Sequence, residues 1–504
     1  MPKARFQAPK GTRDLYPEDM LRRRYVTQAW RDTSIRHGFE EIDGPTFETS
    51  DLYAVKSGDG ILGELFQAFS GKDPKDLEFI KEHDRAQLAL RPEFTPTLAR
   101  LYAARAAQLP KPTKWFSIGP FFRAERPQRG RGREFLQWNA DVVGDDGTFG
   151  ARCDADGETI ACSIAGLDTL GLNATDTRVH CNSRELMEEF FTDRQVPREL
   201  IPSAFALIDR AAKIGLVKLV DEARAMKLSP EVVSLLARLD TAAIDFEADA
   251  HGRAANDHDQ SQIVANKDPF LDPEMDGIDH TAVFSFWEDE GPPFYIGADR
   301  EGILNWCRFD PSIVRGLAYY TGTVFEVIAE GERAVAGGGR YDNLIELLGG
   351  PPTPAVGFAM GDVVLSLLLE DKNLMPEGQE LLEACSRPAA SLRPEAFVVT
   401  PDESLDPAVR RLVADLRRGV ETEGFDGKPW ASDRYETRPL HARRTYKSTR
   451  NIGKLLKDAT GQHAKTLVII ENGERATVQD LDRKDKHEDV KLADVPALVA
   501  RITA

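Results

Sequence analysis

The sequence has few features of a membrane or secreted protein. It holds 5 cysteines in 504 residues and 8% aromatic residues, and no apolar run approaches the roughly 20 residues of a membrane-spanning helix. Its first residues carry charges but lack the apolar core of a signal peptide. The cysteines are odd in number and show no metal-ligand pairing, so we expect reduced thiols, a cytoplasmic location and no membrane partner.

Positive charge is also scarce. Asp and Glu number 83 against 65 Lys and Arg, which gives a net charge of −18 and argues against a protein that coats nucleic acid indiscriminately. The imbalance is local, however, because residues 240–301 hold 16 acids and three bases, whereas residues 438–465 hold eight bases and one acid. An acidic middle segment and a basic patch near the end of the chain are therefore separate features.

The chain is too long for one ordinary hydrophobic core, so we expect several domains. Residues 20–36 have helical spacing, and residues 183–239 are mostly helical in pattern. Residues 241–299 are acidic with little periodicity, which predicts either a loop-rich insertion or a partly disordered segment. From residue 394 short strands alternate with helices, including a helix predicted over 448–460, and this pattern indicates a separate α/β domain.

An arginine-rich turn lies between two stretches that read as an antiparallel hairpin. Its five arginines fall within eleven residues: Arg123, Arg126, Arg129, Arg131 and Arg133. The guanidinium fork suits phosphate oxygens and stacks on flat rings. On the second strand, alternation of side chains gives one polar face, made of Phe135, Gln137, Asn139 and Asp141. That face is either a solvated surface or the floor of a site for a nucleotide and a small polar ligand.

The turn and four further segments resemble one protein family. "FFRAERPQRGRGREFLQ" resembles the second signature motif of class II aminoacyl-tRNA synthetases, in its histidyl-tRNA synthetase form. In matching order, "APKGTRDLYPED" resembles that family's N-terminal segment and "LALRPEFTPTLAR" resembles its histidine-contacting strand. "VRGLAYYTGTVFEV" resembles its histidine-specific motif, and "AGGGRYDNLIELLGGPPTPAVGFAMG" resembles the run into the third class II motif.

The resemblance implies an α+β fold, in which a class II antiparallel β-sheet catalytic domain is flanked by helices and followed by a C-terminal α/β anticodon-binding domain. We expect the catalytic domain in 1–190 and 301–375, a helical and acidic insertion in 191–300, a linker in 376–393 and the anticodon-binding domain in 394–504. The resemblance also implies a homodimer, since "DGPTF" resembles the first motif at the family's dimer interface.

A reaction is implied as well. L-histidine and ATP, which is accompanied by Mg²⁺, would give histidyl-adenylate, and the histidyl group would pass to the 3′ end of tRNA(His). No metal site built by the protein is expected, because the histidines and acids between His251 and His280 match no ligand spacing. The alternative is a histidine-binding regulatory paralogue that partners ATP phosphoribosyltransferase and does not charge tRNA. Such paralogues lack the C-terminal domain.

Candidate site residues are the positions that match the family's motifs. Those expected to act in catalysis are Arg123 and Arg315. Those expected to bind histidine are Glu93, Thr95, Arg123, Gln137, Asp141, Arg315, Tyr319 and Tyr320, and those expected to bind ATP are Arg123, Glu125, Arg131 and Phe135.

A basic stripe is predicted on one helix of the last domain, formed by Lys447, Arg450, Lys454 and Lys457. A charged stripe is usually just the solvated face of a helix. In so acidic a chain, and beside further arginines, we interpret it as a phosphate track for tRNA.

One position departs from the family. Val364 stands where the third motif normally carries an arginine that stacks on adenine and touches the γ-phosphate. We therefore expect the arginine turn to carry more of the triphosphate charge, through Arg129, Arg131 or Arg133. The same loss would also fit the regulatory paralogue.

Overall fold

The structure is a computed structural model. It describes residues 7–57, 63, 65–214, 216–228, 232, 244–245, 292–314, 319–329, 334–387, 389–421, 437–447 and 449–503. Within these ranges, none of the helices has the length and apolar character needed to cross a membrane. The five cysteines all lie within the described ranges and form no disulfide.

Helices and strands alternate along the described chain. The helices are α1 (Pro17–Arg36), α2 (Ser50–Ser57), α3 (Pro74–His83), α4 (Thr95–Ala103), α5 (Phe149–Thr169), α6 (Arg184–Asp193), α7 (Ile201–Ile214), α8 (Leu216–Ala225), α9 (Pro293–Glu301), α10 (Leu344–Leu347), α11 (Asp362–Asp371), α12 (Gly378–Cys385), α13 (Asp406–Arg418), α14 (Ile452–Gly461) and α15 (Val495–Thr503).

The strands are β1 (Glu40–Glu41), β2 (Phe47–Thr49), β3 (Gln67–Ala68), β4 (Leu88–Leu90), β5 (Thr113–Phe122), β6 (Glu134–Val143), β7 (Thr177–Ser183), β8 (Ile244–Asp245), β9 (Cys307–Phe309), β10 (Thr323–Ala329), β11 (Ala336–Arg340), β12 (Ala355–Gly361), β13 (Ala396–Val399), β14 (Val420–Glu421), β15 (Thr437–Arg438), β16 (Ala442–Arg444), β17 (Thr466–Ile470), β18 (Arg475–Asp480) and β19 (Lys486–Lys491).

A large sheet forms the centre of the molecule, with strands in the order β1-β5-β6-β12-β11-β10-β7-β9-β8. Its middle is antiparallel, because β5, β6, β12, β11, β10 and β7 each run opposite to the next. The predicted hairpin is confirmed, since Thr113 pairs with Val143 and Phe122 with Glu134. The α+β fold with a large, mainly antiparallel sheet is therefore confirmed.

Helices α1 and α5 cover one face of this sheet. Trp138 of β6 stacks on Trp30 of α1 with ring centroids 5.9 Å apart, and its indole N–H donates to Ser34 Oγ at 2.8 Å. Gly166 of α5 permits this packing, because a Cβ there would lie 2.6 Å from the Trp138 ring. The opposite face of β6 is thereby left for the candidate site.

Two regions differ from the sequence expectations. The expectation of irregular structure up to residue 299 is wrong at its end, where the chain forms α9. This helix packs on α5 through Gly157 and Gly297, whose backbones approach too closely to admit a Cβ. The linker expected over 376–393 includes a helix, α12, with Leu381 and Ala384 buried among core residues. Both helices are short, with nine and eight residues, and a short helix carries little periodic signal.

The last part of the chain builds a separate five-stranded sheet in the order β16-β13-β17-β18-β19. Its first three strands are parallel and its last two pairings are antiparallel, so the α/β architecture is confirmed. The helix predicted over 448–460 begins later, at Ile452, because the Asn451 side chain caps it by accepting from the Lys454 amide at 3.1 Å.

Candidate active site

The floor of the candidate site combines one polar strand with one strand of small residues. Gln137, Asn139 and Asp141 alternate along β6 and are all buried. Opposite them on β12 stand Gly361, Ala359 and Gly357, which share their face because directly paired residues point the same way. A Cβ on Gly361 would meet open space. The small residues therefore leave room above a polar strand.

Three buried polar atoms on this floor find no hydrogen-bond partner within the described part of the chain. They are Gln137 Oε1, Asn139 Nδ2 and Ser117 Oγ, and Ser117 of β5 pairs directly with Asn139 of β6. Gln137 Nε2 donates to Asn139 Oδ1 at 3.3 Å, which fixes the two amides against each other. A buried polar group without a partner is costly, so this set indicates a binding site for a polar ligand.

Arg123 stands at the mouth of this floor, directly after β5. Its guanidinium carbon lies 5.2 Å from the centre of the Phe135 ring, and its Nε donates to the Pro92 carbonyl at 3.3 Å. The side chain is thus held between an aromatic ring and a backbone oxygen. This geometry brings together three sequence-predicted residues, Arg123, Phe135 and, next to Pro92, the half-buried Glu93.

Three of the other turn arginines, Arg129, Arg131 and Arg133, have intramolecular partners. Arg131 forms an ion pair with Glu125, and Arg133 donates to the Glu125 carbonyl at 3.1 Å. Arg129 reaches Asp371 at the end of α11, at 3.0 Å. The N-terminal segment closes the turn from outside, where the Gly11 carbonyl accepts from the Arg133 amide at 2.7 Å.

The far end of the floor is aromatic. Tyr341 donates to Asp141 Oδ1 at 2.6 Å, and burial together with the Asp141 charge raises the pKa of Tyr341 well above its usual value. The rings of Tyr319 and Tyr320 lie 4.5 Å apart, and both residues are buried. Tyr319 meets Tyr341 edge-on at 6.1 Å. Sequence reasoning had singled out Tyr319, Tyr320 and Asp141 but not Tyr341.

Thr95 and Arg315 are two further sequence-predicted residues. Thr95 is the first residue of α4 and is half-buried. Arg315 lies outside the described residues.

Arg340 is a buried residue that sequence reasoning missed. It contacts Asp156 at 2.6 Å and Asp145 at 2.9 Å, and its neighbour Asp342 at 3.2 Å. Burial alone would lower the pKa of Arg340, but the three carboxylates together raise it. An arginine directly after three glycines on a buried strand was the signal that could have revealed it.

The start of α11 shows where Val364 lies, the residue that stands in place of the third-motif arginine. Val364 is 8% exposed and packs in the main core, so its side chain does not face the floor. Asp362, at the first helical position, is buried, pairs with Arg13 and accepts from the Leu136 amide of β6 at 2.9 Å. Burial raises the pKa of Asp362 and Arg13 opposes this shift. This junction ties the N-terminal segment, β6 and α11 together.

The basic stripe differs from its prediction. Lys447 and Arg450 precede α14 instead of lying on it, because that helix begins at Ile452. Arg450 makes a two-pronged ion pair with Asp406, at 2.9 and 2.8 Å, and Lys447 contacts Asp458 at 2.5 Å. Lys454 and Lys457 are on the helix and exposed. The single helical stripe is therefore wrong for two of its four members.

Comparison with known proteins identifies the family of the chain. A family model described as histidyl-tRNA synthetase matches residues 11–267 and 303–362. The chain belongs to the histidyl-tRNA synthetase family. It is 35% identical over 378 residues to the histidine–tRNA ligase of Opitutus terrae, covering 74% of this chain and 77% of that one.

The family resemblance inferred from the motifs is thereby confirmed by further comparisons. The chain is 34% identical to the chloroplastic/mitochondrial histidine–tRNA ligase of Arabidopsis thaliana, covering 82% of this chain and 74% of that one. The crystal structure of histidyl-tRNA synthetase from Nostoc sp. PCC 7120 has the same fold. Its TM-score is 0.51 at 21% identity, covering 99% of this chain and 100% of that one.

Members of this family use ATP as a substrate. Within the described ranges, the charged groups that surround the turn are mainly arginines, and no group of three or more His, Cys, Asp or Glu side chains converges to hold a metal ion.

Proposed function

We propose that this chain is a histidine–tRNA ligase. It activates L-histidine with ATP to give histidyl-adenylate and pyrophosphate, and it then transfers the histidyl group to the 3′ end of tRNA(His). In the first step a carboxylate oxygen of histidine attacks the α-phosphorus, and the bond to the pyrophosphate oxygen breaks. Catalysis must therefore align the two substrates and neutralise charge on the phosphate oxygens.

The observation that carries this proposal is the buried floor with its three unpartnered polar atoms beside Arg123. Gln137 and Asn139 offer one acceptor and one donor to a polar ligand. An imidazole ring, flat and carrying one donor and one acceptor, fits between such groups and the tyrosine rings. We assign histidine binding to Gln137, Asp141, Tyr319 and Tyr320.

The mouth of the site supplies the charges for the reacting groups. Arg123, held between Phe135 and the Pro92 carbonyl, would contact the α-phosphate and the histidine carboxylate. Glu93 would pair with the ammonium group of histidine, with Thr95 beside it. These two assignments place opposite charges beside the carboxylate and the ammonium group of histidine, which fixes the orientation of its α-carbon in the cleft.

ATP would lie along the arginine turn. Phe135 would stack under adenine, Glu125 would accept from the adenine or its surroundings, and Arg131 would bind the distal phosphates. Arg315 is assigned to the α-phosphate from its motif alone. We propose that Mg²⁺ accompanies ATP and adds positive charge at the phosphates, while the protein's own contribution is the set of arginines.

We further propose that the enzyme is a cytoplasmic homodimer and that the domain from residue 394 binds the anticodon stem-loop of tRNA(His). Lys454 and Lys457, exposed on α14, are its first candidate phosphate contacts, with Lys447 and Arg450 next to them.

Pyrophosphate exchange with each of the twenty amino acids tests the proposal. We expect exchange with histidine alone, in the absence of tRNA, and charging of tRNA(His) when it is added. Histidine binding without any exchange would instead support the regulatory paralogue. Arg315→Ala should lower exchange by roughly 10²-fold, the scale of losing one donor to a developing oxyanion, and normal exchange would reject its role.

A further inference from the structure

Helix α5 carries two carboxylates, the half-buried Asp154 and the buried Glu158, that join the C-terminal domain to the catalytic domain. Glu158 is 3% exposed. It contacts Lys114 of β5 at 2.6 Å and Arg417 of the C-terminal helix α13 at 3.0 Å. Its second oxygen accepts from the Tyr446 hydroxyl at 2.7 Å. One carboxylate thus binds both domains at once.

Asp154, one helical turn earlier, repeats the arrangement. It contacts Arg300 of α9 at 2.6 Å, Arg410 of α13 at 2.9 Å and Arg444 of β16 at 3.2 Å. Residues four apart on a helix share a face, so Asp154 and Glu158 point together at the C-terminal domain.

Asp156, between them on α5, points the other way, because two residues along a helix turn the side chain to the opposite side. It is fully buried, accepts from Arg340 on β11 at 2.6 Å and accepts from the Thr323 hydroxyl on β10 at 2.6 Å. Residue Gly339, next to Arg340, packs under Tyr320 of the candidate histidine site, where a Cβ would lie 2.8 Å from the ring. One helix therefore holds the C-terminal domain on one side and the site's strands on the other.

The chemistry of this contact favours a role in orientation. Two carboxylates face five cations. Burial by itself would raise the pKa of Glu158, but Lys114, Arg417 and Arg444 hold it below its usual range. Paired buried charges often add no more stability than apolar contacts of the same size. They do, however, allow few geometries, because each charge must keep its partners.

We propose that Asp154 and Glu158 are positioning residues for the transfer of histidine to tRNA. They fix the orientation of the C-terminal domain, so that a tRNA bound there presents its 3′ end to the catalytic cleft. This inference rests on the proposed function. It does not extend to adenylate formation, which uses only groups of the catalytic domain.

The test compares adenylation with aminoacylation in Glu158→Gln and in Asp154→Asn. We expect pyrophosphate exchange without tRNA within about twofold of wild type. The KM for tRNA in aminoacylation should rise about tenfold, within the range usual for coupling between two sites. A merely structural role would lower the active fraction, so that both kcat values would fall in parallel and the KM for tRNA would stay constant. That result would overturn the proposal.

Two further variants keep the test decisive. Tyr446→Phe removes one neutral donor to Glu158 without leaving a buried charge unpaired, and we expect a smaller rise of the same tRNA KM. Asp168→Asn, an exposed acid near the other end of α5, is the matched control and should change nothing. If the KM for tRNA were unchanged in both single variants, Tyr446→Phe and Glu158→Gln, the proposal would also be overturned. Absence of histidine-dependent pyrophosphate exchange in the wild-type protein would instead reject the proposed function, whatever the KM values of the variants.

Discussion

The arginine turn and the basic segment of the C-terminal domain look alike in sequence but differ in structure. In the turn, Arg123 is held over Phe135 by a backbone carbonyl, and Arg131 is held by Glu125. In the C-terminal segment only part of the charge is tied down, since Arg450 pairs with Asp406 while Lys454 is exposed on a helix. Fixed arginines stand at the candidate catalytic cleft, and exposed lysines stand on the domain that we assign to RNA.

The difference reflects what each kind of binding needs. Charge stabilisation of a reacting phosphate works through donors that are already in place, since moving them during the reaction costs free energy. Binding of an RNA backbone works through displacement of counterions, for which flexible exposed lysines suffice. Under the proposed function, Glu125 therefore has a role of its own, because its ion pair holds the Arg131 guanidinium group in position before ATP binds.

Arg123→Ala should have the largest effect. Loss of one preorganised donor should lower the rate of histidine-dependent pyrophosphate exchange by roughly 10²–10³-fold, or about 2.7–4 kcal/mol. The control is Arg126→Ala, which removes an exposed arginine of the same turn and should leave exchange nearly unchanged. Equal losses in both variants would show that the turn acts through its total charge and not through fixed geometry.

Acidification should destabilise the C-terminal domain, because His441 becomes protonated. Its Nδ1 donates to the Ser391 carbonyl at 2.8 Å and its Nε2 accepts from Arg443 at 2.9 Å, an arrangement that needs the neutral ring. Burial, with Arg443 acting in the same direction, lowers the pKa of His441 to about 3. The unfolded chain takes up a proton near pH 6.5, so stability is complete above that pH and is lost as the pH falls toward 3.

By pH 5 the loss should reach about 2 kcal/mol, from roughly 1.5 pH units at 1.36 kcal/mol each. Urea unfolding at pH 7 and pH 5 measures this loss. His441→Gln should be less stable at pH 7 but should lose less on acidification, whereas His463→Gln, an exposed control, should follow the wild type. Identical pH dependence in all three proteins would contradict the assignment.

Arg131→Ala should raise the ATP KM in pyrophosphate exchange about tenfold, since a charge-assisted hydrogen bond to phosphate contributes at least ~1.4 kcal/mol. Glu125→Gln tests whether Glu125 acts mainly by holding Arg131. In that case the double variant should be no worse than Arg131→Ala alone. Additive effects would mean that Glu125 contacts ATP independently.

How far the sequence predicted the site depends on the kind of feature. Alternation along β6 was enough to place Gln137 and Asp141 on one face, because strand periodicity is local. The ion pairs were not predictable, since Arg131–Glu125 and Arg13–Asp362 depend on how a loop and an N-terminal segment fold back. Val364 shows the limit most clearly. Comparison with the motif indicates a missing arginine at this position. Because Val364 is buried in the core, however, Val364→Arg would bury a guanidinium group there instead of restoring a contact.

The smallest effect is expected on tRNA binding by the C-terminal domain. It distinguishes exposed basic residues from those that form ion pairs. Replacing Lys454 and Lys457 together with Ala should weaken tRNA binding and flatten its salt dependence by up to about two units of slope. Replacing Lys447 and Arg450 should do less, because Asp458 and Asp406 already neutralise them. Filter binding of tRNA over a salt series measures both, and adenylation without tRNA should be intact in either case. An equal loss of slope in the two double variants would mean that tRNA displaces the acids, in which case the ion pairs of this segment preorganise it in the same way as those of the arginine turn.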